Sequence, residues 1–251
     1  MTDGVIPVET SSVALITGAG VRIGAAIAQS LHADGFNVVI HYLHSGEPAQ
    51  ALALELNAIR ANSAMTVQGD IREVASCAEI VANASAWHGR LNVLINNAST
   101  FYTTPLGDAT LAQWDDLFGS NLKGPFFLSQ AAAPALRLNG GSIVNILDAY
   151  AARPERDYPI YTAAKAGLMS LTRSLALDLA PQVRVNGVAP GSILWPTDEP
   201  DESTKLETLR DVPLQRMGST QQIARAVRYF VSEGNYVTGQ ILAVDGGASL
   251  S

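Results

Sequence analysis

Seven short apolar runs alternate along the chain with longer stretches in which apolar side chains recur every three to four positions. The runs Val13–Thr17, Asn37–Tyr42, Met65–Gln68, Asn92–Asn96, Ser142–Leu147, Val183–Val188 and Ile241–Val244 read as strands. Between them, Arg22–Asp34, Pro48–Arg60, Glu73–Trp87, Leu111–Leu138, Tyr158–Ala180 and Thr220–Ser232 carry a helical period. Pro48 falls where a first-turn proline is tolerated, and Gly35 where a helix stops. Gly124-Pro125 predicts two helices, or one interrupted helix, within Leu111–Leu138. Uniformly apolar strands joined by helices predict an α/β chain built on a doubly wound parallel sheet of about seven strands, with helices on both faces. Such sheets bind ligands beyond the carboxyl ends of their strands, near the point where strand order reverses.

Several strand ends carry residues suited to a dinucleotide. The first strand runs into Thr17-Gly18-Ala19-Gly20-Val21-Arg22-Ile23-Gly24 and then a helix. Glycines there permit a tight turn and close approach of backbone to a pyrophosphate, which the helix N-terminus favours. Arg22 is out of place electrostatically, because a cation in the first helical turn opposes the helix dipole by about 0.3–1 kcal/mol. A cofactor phosphate would compensate it, whereas the plain alternative is an exposed side chain. At the end of the second strand, Tyr42, His44 and Ser45 precede the first acid, Glu47. A site lacking the carboxylate that holds a ribose 2′-hydroxyl accommodates a 2′-phosphate, so NADPH is the expected cofactor. Asp70 and Ile71 follow the third strand, with Asp70 placed to accept from an adenine amino group. Asn97, Ala98 and Ser99 end the fourth strand; Pro190, Gly191 and Ser192 end the sixth, beside the expected nicotinamide.

A second constellation lies on the later strands. Tyr161 and Lys165, four residues apart, share one helix face. An ammonium so placed lowers a phenol pKa from about 10 and makes the tyrosine a usable proton donor. Asp148 stands thirteen residues upstream of Tyr161, at a strand end. A carboxylate there can engage the amino group and ring nitrogens of a heterocycle, or simply cap the loop.

Length and an apolar content of 47% suit a single domain over residues 1–251, with 1–12 expected to be a flexible start. The irregular stretch 191–203, with Trp195 and the acidic run Asp198–Glu202, reads equally as a solvated loop or a substrate lid. A net charge of −7 and no Lys/Arg cluster speak against nucleic acid. Cys77 stands alone, no basic leader or membrane-length apolar window is present, and a soluble cytoplasmic protein is expected. The four histidines show no metal-ligand spacing.

Taken together these residues resemble the short-chain dehydrogenase/reductase family, and within it the pteridine reductases. The likeness runs from about Val13 to Leu250 and includes Leu56–Gln68, Asn96–Leu106, Leu117–Asn121, Leu171–Pro181, Val183–Val188 and Val244–Gly247. Arg22, where most members carry glycine, and Asp148, where most carry serine, mark the narrower group, and Ser99 with Phe101 agrees. The resemblance implies a Rossmann-type fold, NADPH, and a small-molecule pterin substrate reduced from dihydro- to tetrahydro-form. It implies Tyr161 as proton donor, Lys165 on the nicotinamide ribose, and Asn121 holding a water that links Lys165 to solvent. Phe101 would stack on the pterin, and Arg22 and Ser99 would touch both pterin and cofactor phosphate; Trp195, in the 191–203 stretch, is a further candidate substrate contact. A homotetramer is the family's common assembly. The chain departs from the pattern in places: His44 stands where arginine is frequent, Leu43 replaces a more polar residue, and the loop around Ser192-Ile-Leu-Trp195 differs. The rival activity is reduction of a carbonyl such as a 3-ketoacyl thioester; a non-catalytic NADPH-binding scaffold is a second alternative.

Overall fold

A computed structural model describes residues 12–152, 156–194, 201–203 and 209–250. Residues 1–11 of the expected flexible start, Trp195 and the rest of 195–200 lie outside that set. The strands are β1 (Val13–Ile16), β2 (Asn37–Tyr42), β3 (Ala64–Gln68), β4 (Val93–Asn96), β5 (Ser142–Ile146), β6 (Arg184–Pro190) and β7 (Ile241–Val244). They form one sheet in the order β3-β2-β1-β4-β5-β6-β7, every pair parallel. Helices α1 (Arg22–Ala33), α2 (Gly46–Ile59), α3 (Val74–Trp87), α4 (Leu111–Phe118), α5 (Gly124–Leu138), α6 (Pro159–Leu179) and α7 (Thr220–Arg228) connect them.

Alternation along β1 shows how the sheet makes two cores. Ala14 and Ile16 pack with Ile27 and Leu31 of α1, Leu52 and Leu56 of α2, and Ile223 and Val227 of α7. Val13 and Leu15 face the other way, onto Ile80 of α3, Leu128 and Leu136 of α5, and Leu179 of α6. All four β1 side chains are fully buried, which is why the strand reads as an unbroken apolar run. The order reverses between β1 and β4, whose following loops diverge and leave a crevice at the carboxyl edge.

Most boundaries shift by one or two residues, and three features of the chain have a hydrogen-bonding reason. The stretch 111–138 is interrupted next to Gly124-Pro125 as expected, and the interruption is a π turn, Gly119–Lys123, between α4 and α5. The Gly124 N–H donates to the carbonyl of Gly119, five residues back. Pro125 has no N–H to offer the carbonyl of Asn121, four residues back, so the α pattern cannot pass through this point. Thr220–Ser232 likewise ends in a π turn, Tyr229–Glu233, whose carbonyls at Phe230 and Val231 receive the Arg184 guanidinium. β6 extends to Pro190, where Gly191 N–H supplies the bond to Val244 at 3.2 Å.

Because the π turn places Asn121, its relaxation should move that side chain. Pro125→Ala restores an N–H at this position and is expected to keep or raise the melting temperature while lowering kcat about tenfold. Thermal melts alongside steady-state rates check this; an unchanged kcat would detach the π turn from function.

Candidate active site

The glycine-rich turn between β1 and α1 is held from both sides. On the β4 side, Asn97 donates its Nδ2 to the carbonyls of Thr17 (2.8 Å) and Gly18 (3.1 Å). Thr17 Oγ1 in turn accepts from the N–H groups of Asn97 and Ala98. On the β2 side, the His41 carbonyl accepts from Ala19 N–H at 2.8 Å. Side chains would not fit at the turn. A Cβ on Gly18, at φ +61°, would sit 2.9 Å from Ala98 Cα, and one on Gly24 would sit 2.4 Å from the carbonyl oxygen of Gly18.

Beside this turn lies a cleft of about 520 Å³. Gly18, Arg22, Ile23, Gly24, His44, Ser45, Asp70, Ile71, Asn97, Ala98 and Ser99 all line it. The N-terminus of α1 has no side-chain cap and no acidic residue in its first turn, leaving its amides to a ligand. A bare helix N-terminus, a backbone that approaches without Cβ atoms, and a cleft of this size fit a dinucleotide. Arg22 adopts φ +54° at the start of α1, a conformation that glycine takes more easily. Its side chain is exposed at the mouth of the cleft.

Beyond the cleft's described lining, at the ends of β5 and β6, stand the groups that move protons. Tyr161, nearly buried on α6, donates its hydroxyl to Asp148 Oδ2 at 2.7 Å. The other carboxylate oxygen, Oδ1, accepts the Tyr150 N–H at 2.8 Å and caps the 3-10 turn Ala149–Ala152. Capping and facing Tyr161 are therefore simultaneous roles of one carboxylate. Lys165, one turn after Tyr161, donates Nζ to the Ile146 carbonyl at 3.0 Å, with Nζ 5.8 Å from the Tyr161 ring centre. Burial pushes the Lys165 ammonium down to about 8, an effect that the Asp148 charge partly offsets. Asn121, completely buried on the π turn, donates to the carbonyls of Thr100 and Leu117 and accepts from Ser99 Oγ at 2.6 Å.

Several of the expected site residues also have contacts within the protein. Tyr42 does not line the cleft; its ring lies against Gly46, where a Cβ would be 3.1 Å from Tyr42 Cε2. Asp70 receives the Arg72 guanidinium on both oxygens, at 2.7–3.1 Å, and this bond holds its carboxyl below the ordinary value. Arg72 also reaches Asp116 at 2.6 Å, and Asp116 accepts from Tyr102. Phe101 is 58% exposed, with one ring face stacked on Tyr158 at 4.7 Å and its flank against Tyr161. Pro190 ends β6, and Gly191 packs so closely on Asp245 that a Cβ would lie 2.6 Å away. Ser192 Oγ meets Tyr150 Oη at 3.3 Å, tying the β5 and β6 exits together. His41, Arg72, Asp116 and Tyr150 were not foreseen. The strand period of two was the available signal for His41: residues 41 and 43 line the cleft and residue 42 does not.

Lys165 in the cofactor-free protein carries a stability cost that depends on pH. Its folded value of about 8 lies below the ordinary 10.5, so the unfolded chain binds more protons between those limits. The penalty is complete below the folded value and fades as pH rises to the unfolded one. Lys165→Met is therefore expected to abolish turnover yet stabilise the cofactor-free protein by roughly 1–3 kcal/mol at neutral pH. Urea melts should show that gain shrinking at alkaline pH; a destabilised variant would contradict the assignment.

Comparison with known proteins agrees with this geometry. The family model described as enoyl-(acyl carrier protein) reductase matches residues 18–249. Pteridine reductase 1 from Leishmania tarentolae is 40% identical, the match covering 96% of this chain and 98% of that protein. A 3-oxoacyl-[acyl-carrier-protein] reductase from Staphylococcus aureus is 35% identical over 93% of this chain and 96% of its own length. A putative ketoacyl reductase of the granaticin polyketide synthase from Streptomyces violaceoruber is 38% identical, with 95% and 96% covered. The chain belongs to the short-chain dehydrogenase/reductase superfamily and is an NAD(P)H-dependent oxidoreductase with a Tyr161–Lys165 catalytic pair.

Proposed function

We propose that this enzyme is an NADPH-dependent pteridine reductase, converting a dihydropterin to its tetrahydro form. The observation that carries the proposal is the 2.7 Å bond from the Tyr161 hydroxyl to Asp148 Oδ2. A carbonyl reductase needs a donor beside its tyrosine to polarise the substrate oxygen. Asp148 offers an acceptor, and a pterin edge presents the amino and ring N–H groups that an acceptor can hold. The 40% identity to the Leishmania pteridine reductase supports the same reading.

The bound cofactor supplies hydride to the substrate carbon. Asp148 orients the heterocycle through its carboxylate, while its second oxygen stays anchored on the Tyr150 N–H. Tyr161 holds the proton destined for the ring nitrogen and shares it with Asp148, which is half-buried and within reach of solvent. Lys165 places a positive charge one helical turn from the phenol and stabilises it as the proton departs. Phe101 offers its exposed ring as a stacking surface, with Tyr158 behind it. Arg22 and Ser99, both at the cleft, are the proposed contacts to cofactor phosphate and pterin together.

The exit of β2 supports NADPH over NADH. Leu43, His44 and Ser45 line the cleft there without a carboxylate, and Ser45 occupies the N-cap of α2 without using its hydroxyl as a cap. That hydroxyl, the α2 amides and His44 are suited to a 2′-phosphate. Asp70 is already bound to Arg72. A homotetramer in the cytoplasm completes the proposal; the exposed Leu111, Trp114, Phe126 and Leu177 give such an assembly apolar surface to bury.

Asp148→Ser is expected to cut kcat/KM for a dihydropterin by about a hundredfold or more while leaving the NADPH dissociation constant unchanged. Steady-state rates and direct titration measure the two quantities. Equal rates for variant and parent would make the carboxylate a loop cap and nothing else. Arg22→Gly should weaken NADPH binding several-fold in the same titration, without lowering the melting temperature of the cofactor-free protein, because the φ +54° backbone suits glycine.

A further inference from the structure

His41 makes four bonds with the two loops that flank the cleft, if its neighbour's backbone is included. The residue is 1% exposed on β2, directly after the apolar run Val38–Ile40. Nδ1 accepts the Gly18 N–H at 3.2 Å, and Nε2 lies 3.0 Å from the Gly69 carbonyl. Its own carbonyl takes the Ala19 N–H at 2.8 Å, and the next residue, Tyr42, accepts the Gly69 N–H at 3.1 Å. An amide can only donate and a carbonyl can only accept, so the ring must be neutral with its hydrogen on Nε2. The imidazole thus measures out the gap between the glycine-rich turn after β1 and the Gly69–Ile71 segment after β3. Asn97 grips the opposite side of the same turn from β4. The turn is clamped between the two strands adjacent to β1.

We propose that His41 is a positioning residue for the dinucleotide, setting the distance between the turn that receives the pyrophosphate and the loop that receives the adenine, and doing so as a fixed Nε2–H tautomer. It touches no reacting atom and acts through Gly18 and Gly69. The inference rests on dinucleotide binding alone, so it stands or falls independently of which substrate the enzyme reduces. Burial pushes the ring down to about 4 from the ordinary 6.5, outweighing the hydrogen bond to Gly69 and the Asp70 charge, which favour protonation. A proton on Nδ1 would set two donors, the ring and the Gly18 amide, against each other. Between those two values the unfolded chain holds the extra proton, so His41 makes stability rise with pH across that window.

The test begins with the unaltered protein, free of cofactor. In ¹⁵N-histidine-labelled enzyme, His41 is expected to show the neutral Nε2–H tautomer from about pH 5.5 to about pH 8, with a slowly exchanging Gly18 amide. His41→Leu should speed exchange at Gly18 and raise the NADPH dissociation constant at least about tenfold, while kcat at saturating NADPH stays within about threefold. His41→Gln, which carries an acceptor and a donor on one planar head, should restore most of the affinity. An Nδ1–H tautomer, a ring titrating near about 6.5, or a rapidly exchanging Gly18 amide in the parent would overturn the proposal, whether or not the leucine variant folds. So would an unchanged NADPH affinity in His41→Leu, or a glutamine variant no better than leucine.

Discussion

The bond between Asp148 and Tyr161 decides how the rest of the catalytic edge can be used. It fixes the phenol of α6 at the end of β5, where Tyr150 also joins the β6 exit through Ser192. In the proposed reading, it also leaves Asp148 as an acceptor for the substrate. Asp148 can do this because its other oxygen is tied to the Tyr150 amide, so the carboxylate cannot rotate away without uncapping a turn. Lys165 completes the arrangement from beneath. Its ammonium is buried against a single carbonyl, a poor environment for a charge, and it is kept there at a cost to stability. Catalytic sites commonly hold such groups, and the rest of the fold must compensate for them.

That compensation comes from the sheet. Two apolar cores sandwich strands with no exposed side chains at their centre, and this makes the carboxyl edge a rigid rim. The loops that leave the rim are not left to find their own positions. Asn97 and His41 clamp the glycine-rich turn, Arg72 spans from Asp70 to Asp116, and Tyr150 joins Ser192. The π turn carries the same logic into the helix layer, where Pro125 removes one donor and Asn121 is presented toward Ser99 and Thr100. Each device positions a polar group at the rim by giving it hydrogen-bonding partners, backbone for Asn97 and His41 and side chain for Arg72 and Tyr150.

The sheet was legible because its central strands are buried on both faces and so announce themselves as apolar runs; β2 matches residue for residue, and so does the edge strand β7, half-exposed but apolar in composition. Helix irregularities were less so. Gly124-Pro125 marks where the α pattern must yield, but a sequence does not say that the chain answers with a π turn rather than a break. At the site, residues whose chemistry is local were readable: Asp148, Tyr161 and Lys165 stand on adjoining elements, and their spacing alone brings them close. Residues that act across the sheet were not. A histidine in an apolar strand looks like any core residue until the turn beside it supplies a donor. Asp70 lines the cleft as its place after β3 suggests, but that Arg72, two positions on, folds back onto it could not be read from the sequence.

The most direct test of the account is a comparison of steady-state NADPH oxidation by the parent enzyme with a dihydropterin and with a 3-ketoacyl thioester. An acceptor beside Tyr161 predicts that kcat/KM for the dihydropterin exceeds that for the thioester by about a hundredfold or more. Faster reduction of the thioester would contradict the account, because Asp148 would then be sitting where a hydroxyl donor is required.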